Sequence, residues 1–257
     1  MAALSFLTVC PALGRRAPAQ REISNSRAWY PVVGLLLGLT LAGVQAGASV
    51  VFPAYLTAAL LVAVLVAVTR GLHLDGFMDV CDGLFGGYTP ERRLDIMRDS
   101  HVGAFAVVGG VTLLLLKYGA LLSLLTLPSL GQVWVLLLFP VLSRWAMVVA
   151  LGAFPYVRRE GLGSPFHQGS ARWATALAAV VVLVAGALLG GIGGVAMLAG
   201  VSVLAWCLGW VMSRMLGGLT GDTYGAINEV AEVAVLMAGV AMLPYGLIGP
   251  AFWLERF

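Results

Sequence analysis

Asp75, Asp79, Asp82, Asp95 and Asp99 fall within one stretch, LHLDGFMDVCDGLFGGYTPERRLDIMRDSHVG, of a 257-residue chain that carries only 12 acidic residues. The first three are spaced i, i+4, i+7, which predicts a helix with all three on one face. Asp95 and Asp99 repeat the i, i+4 step. Like charges at that spacing repel, and a hard divalent cation relieves the repulsion. Oxygen-only ligands favour Mg²⁺, Mn²⁺ or Ca²⁺ over zinc. The stretch therefore reads as a metal site at a membrane surface. The competing reading is a solvated helix surface on which Arg92, Arg93 and Arg98 pair with the acids. That suits Glu91, Asp95 and Asp99 better than Asp75, Asp79 and Asp82, whose neighbours Phe77, Met78, Leu84 and Phe85 are apolar.

Other polar residues stand out against the same background. Gly86 and Gly87 allow close approach of a second helix or of a ligand phosphate, or simply a turn. In GGLTGDTYGAINEVAEVAV, Asp222 suits a helix N-cap, and Glu229 and Glu232 suit the positive end of a helix dipole. Alternatively these acids complete the metal site or position a substrate. In PYVRREGLGSPF, Arg158 and Arg159 suit phosphate binding or a cytoplasmic anchor. Lys117 and Arg144 sit inside apolar runs, where a lone cation costs about 3 kcal/mol on insertion scales; each faces the bundle or snorkels to an interface. His73, His101 and His167 have no metal-ligand spacing, and Cys10, Cys81 and Cys207 form neither a zinc motif nor a disulfide framework.

These residues are held by a hydrocarbon-like chain. Hydrophobic residues make up 60% of it, charged residues only 11%, and the mean hydropathy is +0.96. A soluble domain would carry about twice that charge. The fold class is all-α: a polytopic membrane protein, one integral domain over 1–257. A short interfacial segment over 1–28, broken near Pro11, precedes a bundle over 29–252. Apolar runs predict about seven spans, near 29–52, 54–72, 103–126, 130–153, 173–190, 195–216 and 230–252. Spans five and six are separated by a turn at Gly190, Gly191, Gly193 and Gly194. The pairs Gly34/Gly38 and Gly43/Gly47 predict close helix contacts.

With the N-terminus in the cytoplasm, 12 of the 15 basic residues fall on the cytoplasmic side, Lys117 and Arg144 lie within spans, and Arg256 lies outside. The positive-inside rule supports that threading. It also accounts for the net charge of +3 without a nucleic-acid partner. The aspartate run, the 154–172 loop and the 217–229 loop then share one cytoplasmic face, where an active site can form. A transporter would spread acids near the midplane, whereas nearly all of these sit at one interface.

HLDGFMDVCDGLFGG, ERRLDIMRDSHVGAF and LTGDTYGAINEVAEVAVL, in that order, resemble the cobalamin synthase family, the adenosylcobinamide-GDP ribazoletransferases. FLTVCPALG and YVRREGLGSPF also look like family segments. The family often has a basic residue after the FLT element, where this chain has Val9, and tends to have Glu at the position of Asp95. The run is more loosely similar to the CDP-alcohol phosphotransferase motif. Asp79, Asp82, Gly83, Asp95 and Asp99 match its D-x2-D-G and D-x3-D parts, while Gly86 and Gly87 replace its A-R pair.

The first resemblance implies transfer of adenosylcobinamide phosphate from adenosylcobinamide-GDP to α-ribazole or its 5′-phosphate, with release of GMP. A CDP-alcohol phosphatidyltransferase of phospholipid synthesis is the alternative. The cofactor expected is Mg²⁺, held among Asp75, Asp79, Asp82, Asp95 and Asp99, and the similarity to the phosphotransferases implies Asp99 as general base. Arg158, Arg159, Asp222, Glu229, Gly86 and Gly87 are the candidate substrate contacts. The expected setting is a bacterial or archaeal cytoplasmic membrane, with lipid as surroundings. The sequence leaves a homo-oligomer open.

Overall fold

The computed structural model describes residues 2–9, 24–127, 131–157 and 172–250. They form helices α1 (Ala2–Leu7), α2 (Tyr30–Val51), α3 (Ala54–Val68), α4 (Leu72–Gly86), α5 (Pro90–Ile96), α6 (Ala104–Thr126), α7 (Gly131–Ala153), α8 (Arg172–Leu216) and α9 (Gly221–Met242). A 3₁₀ turn, Ser26–Trp29, leads into α2. No strand occurs among the described residues; one isolated bridge joins Tyr156 and Leu219.

Five helical stretches are long and apolar enough to cross a membrane: Ser26–Val51, Ala104–Thr126, Gly131–Ala153, Arg172–Leu216 and Gly221–Tyr245. α3 and α4 together are also long and apolar enough but are bent by 89° at the intervening residues, as in a broken span or a re-entrant loop. A straight helix of 45 residues would be about 68 Å long, more than twice the hydrocarbon thickness. α8 avoids this by breaking at Gly191, with φ 57° and ψ −139°. Only glycine adopts that backbone readily. The two arms, 172–190 and 192–216, fold back so that the Gly186 and Gly194 backbones meet. Counting the arms separately, and the bent pair as one span, gives the seven passes expected of this multi-pass membrane protein.

α7 is the central helix. Most of its surface is covered, whereas α6 and the arms of α8 turn residues such as Val108, Leu115, Val180 and Val203 outward, as lipid-facing helices do. Gly34 and Gly38 of α2 lie directly on the α7 backbone at Pro140 and Leu137. A methyl group at either would separate the helices. Gly43 and Gly47 have no described atom within 4 Å of where a side chain would stand. Thus the first of the two predicted glycine pairs makes a helix contact within the described chain and the second does not.

Three boundaries differ from expectation. The second span ends at Val68, and the chain turns at once into the aspartate helix α4 instead of continuing apolar to residue 72. The last helix begins at Gly221, not near 230, because Thr220 and Thr223 close a reciprocal capping box ahead of a polar first turn. Asp222, Glu229 and Glu232 therefore all belong to the helix, and the connection shrinks to four residues. Finally, α5 ends at Ile96, so Asp95 and Asp99 do not share a helix face. The Arg98 and Asp99 amides bond to the carbonyls of Asp95 and Ile96, and this turn redirects the chain toward α6. At the N-terminus a short helix is present as expected, with Ala3 and Leu7 buried; the break expected at Pro11 lies outside the described residues.

Candidate active site

α4 is gripped between α9 and α6. A Cβ on Gly76 would stand 2.9 Å from the Asp222 Cα, and one on Gly225 would stand 3.1 Å from the His73 Cα. Backbone thus meets backbone at two points one turn apart. On the other side Gly109 of α6 receives the Cys81 side chain, and Gly110 receives Met78. This double contact fixes the rotation of α4 and hence where its carboxylates point. Along the expected face, Asp75 is exposed, Asp79 half-buried and Asp82 buried.

Asp82 has a specific set of partners. Its two oxygens accept the backbone N–H groups of Gly103, at 2.7 Å, and Ala106, at 2.8 Å. These are orphan donors at the start of α6, so Asp82 caps that helix from α4, with the dipole adding to the attraction. Asp99 lies in the turn before α6. It accepts the His101 backbone N–H at 3.0 Å and pairs with the His101 Nδ1 at 2.6 Å. That hydrogen bond holds the Asp99 carboxyl below the usual carboxylate range and raises the His101 imidazole. Asp95 is exposed on α5.

Among the described residues, no three His, Cys, Asp or Glu side chains stand close enough to hold a metal ion by themselves. The donor chemistry still fits Mg²⁺. That ion is usually held by one or two carboxylates plus substrate phosphates and waters, rather than by an all-protein cage. In residue type and spacing, Asp75 and Asp79, one turn apart with oxygen donors only, match such a pair.

Three polar connections meet at the same end of the bundle. Arg93 of α5 donates to the Gly87 carbonyl at 2.9 Å and to the Met215 carbonyl, near the end of α8, at 3.0 Å. The Val157 and Leu219 amides bond to the carbonyls of Leu219 and Pro155, at 2.9 and 2.8 Å. Tyr156 stacks on Tyr224 at 6.5 Å between ring centroids. Asp222 sits in the first turn of α9 against Gly76, while Thr220 is the N-cap, a role the sequence had offered to Asp222. Gly87 leaves room for the Arg93 chain; a Cβ there would lie 2.6 Å from the Arg93 Cγ. Gly86, next to it, is exposed. Arg158 and Arg159, the candidate phosphate ligands, lie outside the described residues.

Sequence reasoning did not foresee how the remaining charges pair. Lys117 of α6 donates to Glu229 and Glu232 of α9, each at 2.6 Å. Arg144 of α7 pairs with Glu232 and donates to Ser143, and Asn228 donates to Glu232 at 3.1 Å. All four charged groups are buried. Glu229 is therefore engaged within the bundle. The signal was present: two cations and two anions isolated in apolar helices balance to zero, and lone intramembrane charges are costly. α9's early start brought Glu229 into the same helix as Glu232.

A cavity of about 690 Å³ opens at the α3–α4 elbow, with Arg70, Leu74, Asp75 and Met78 on one wall and Ser5 and Phe6 of α1 on the other. Arg70 donates to the carbonyls of Ser5 and Thr8, both at 3.1 Å. Val9 donates its amide to the Val68 carbonyl at 2.8 Å. A guanidinium from the elbow thus stands beside the position where the resembled family often carries its own basic residue.

Comparison with known proteins decides the relationship. The cobalamin-5-phosphate synthase family model matches residues 1–240. The chain belongs to this family. An adenosylcobinamide-GDP ribazoletransferase of Desulfitobacterium hafniense is 38% identical over 261 residues, covering 94% of this chain and 96% of the relative. Proteins of the same name from Geotalea daltonii and Ectopseudomonas mendocina are 41% and 42% identical, covering 93% and 92% of this chain and 96% of each relative. No solved structure matches the chain. The region matched by the cobalamin-5-phosphate synthase family runs from α1 to all but the last two residues of α9.

Proposed function

We propose that this protein is an adenosylcobinamide-GDP ribazoletransferase. It transfers adenosylcobinamide phosphate to a ribose hydroxyl of α-ribazole 5′-phosphate or α-ribazole. The hydroxyl oxygen forms a bond to the phosphorus nearest cobinamide, the diphosphate bridge to that phosphorus breaks, and GMP leaves with the bridging oxygen. The observation that carries the reading is the meeting of α4 and α5, residues 155–157 and the start of α9 at one end of the bundle. It gathers carboxylates, cations and close-approach glycines on a single face, beside hydrocarbon. The near-full-length likeness to proteins of that name supports the same chemistry.

In this reading Asp75 and Asp79 hold Mg²⁺, with Asp95 and Asp99 available to a second ion. When bound, the metal neutralises diphosphate charge and stabilises the attacking and leaving oxygens. Asp82, further along the same face of α4, pins α6 while adding negative potential to the site. Asp99, kept ionised and oriented by His101, accepts the proton of the attacking hydroxyl. Asp222 contacts substrate at the α9 start, with Glu229 holding α9 in place behind it. Gly86 lies open at the end of α4, next to the Arg93 contact at Gly87. Arg158 and Arg159 bind a donor or acceptor phosphate. The arginine count supports a cytoplasmic setting for this face.

The test is GMP formation from adenosylcobinamide-GDP and either acceptor by purified protein, with and without Mg²⁺. GMP release that requires Mg²⁺ is the expected result. CMP release from CDP-diacylglycerol instead would replace this reading with phospholipid synthesis.

A further inference from the structure

We infer that the elbow cavity between α3 and α4 is the acceptor subsite, taking a ribonucleotide with an aromatic base, and that Arg70 contacts its phosphate. The inference rests on the ribazoletransferase reading. At about 690 Å³ the cavity lies in the range that encloses a nucleotide-sized ligand. The donor, a corrinoid macrocycle joined to a guanosine diphosphate, is several times larger than such a ligand. Size therefore assigns the cavity to the smaller substrate.

Its lining matches a nucleotide in kind. Phe6, Leu74 and Met78 supply apolar and aromatic surface for a flat base, and Met sulfur suits an aromatic face. Asp75, an acceptor for ribose hydroxyls, shares the wall with Arg70, so an acid and a cation stand at one pocket. The metal-holding face assigned to α4 begins at this same Asp75, which places a bound ribose beside the reacting phosphorus.

Arg70 is unusual in its backbone. With φ at 56° it is the one non-glycine residue in the left-handed region among the described residues, and Gly71 follows at φ 65°. An arginine held in a conformation that favours glycine points to a use for its side chain. One nitrogen, Nη2, ties down α1. Nε and Nη1 make no hydrogen bond among the described residues, which leaves N–H groups for an anion in the cavity that Arg70 lines.

The experiment measures steady-state kinetics of the full-length protein in lipid nanodiscs, varying each substrate in turn. Arg70→Gln is expected to lower kcat/KM for α-ribazole 5′-phosphate by about tenfold or more, as a lost charge-assisted phosphate contact should. The ratio of that value to the one for unphosphorylated α-ribazole is expected to collapse, and Arg70→Lys to restore part of it. Leu74→Trp, which fills the cavity, is expected to raise KM for both acceptors while KM for adenosylcobinamide-GDP holds its wild-type value. Calorimetric binding of α-ribazole 5′-phosphate without donor should weaken in both Arg70→Gln and Leu74→Trp, whatever their turnover. An unchanged acceptor ratio in Arg70→Gln, or a donor KM that moves in place of the acceptor KM in Leu74→Trp, overturns the assignment. A wild-type protein that forms no GMP at all would instead remove the ribazoletransferase reading beneath it.

Discussion

The carboxylate of Asp82 occupies the space where a side chain at Gly103 would stand: a Cβ there would lie 2.6 Å from one Asp82 oxygen and 2.8 Å from the other. The contact joins the aspartate helix to α6 at its most electropositive point. On sequence grounds alone, Asp82→Asn relieves repulsion among neighbouring carboxylates and leaves the fold intact. With two backbone N–H groups bound to Asp82, the expected outcome reverses. An amide offers only one acceptor oxygen, so one buried N–H loses its partner, at about 1–3 kcal/mol. Thermal unfolding in detergent should show Asp82→Asn destabilised, with GMP formation reduced as well. Wild-type stability in this variant would mean that the cap contributes nothing.

Glu232 is the hub of the buried network, shared by Lys117, Arg144 and Asn228. Glu232→Ala strands the buried Arg144 guanidinium and leaves Lys117 with Glu229 alone, and should cost about 3–5 kcal/mol. Replacing Arg144 by Met and Glu232 by Leu together should cost less than the sum of the two single changes. A double-mutant cycle on unfolding free energies checks this, and strict additivity would show that the pair is not coupled.

The backbone contact at Gly76 predicts a graded response. Gly76→Ala places a methyl group against the Asp222 backbone, which has no flexible side chain to yield. α4 and α9 must separate, at about 1–3 kcal/mol, typical of overpacking. Gly43→Ala, with open space around it, should leave stability unchanged. Equal effects in the two variants would sink the close-packing account of α4.

Topology gives the fourth expectation. Cysteines placed at the exposed Tyr88 and Arg214 should both label from the cytoplasmic side of sealed vesicles. Arg93 already links their two segments through the Met215 carbonyl. Labelling from opposite sides would break the single-face site.

Much of this architecture was legible from the chain alone. Seven apolar runs, the glycine break near 191 and the helical i, i+4, i+7 spacing of Asp75, Asp79 and Asp82 depend on local composition and periodicity. A sequence displays those directly, because hydrocarbon burial and helical repeat act over neighbouring residues. The ordered motifs also sufficed to indicate the family. What tertiary structure decided was partnership. That Asp82 caps a helix beginning 22 residues later, that Glu229 and Glu232 answer Lys117 and Arg144 across three helices, and that Arg70 reaches back to Ser5 are all contacts between residues distant along the chain. The start of α9 shows why such contacts stay hidden. Its first turns are polar, so hydropathy hid them, and a two-threonine capping box carried the helix back to Gly221. Charge and spacing limit which side chains can pair, but packing selects the pairs, because a hydrogen bond forms only where the helices bring two groups within about 3 Å.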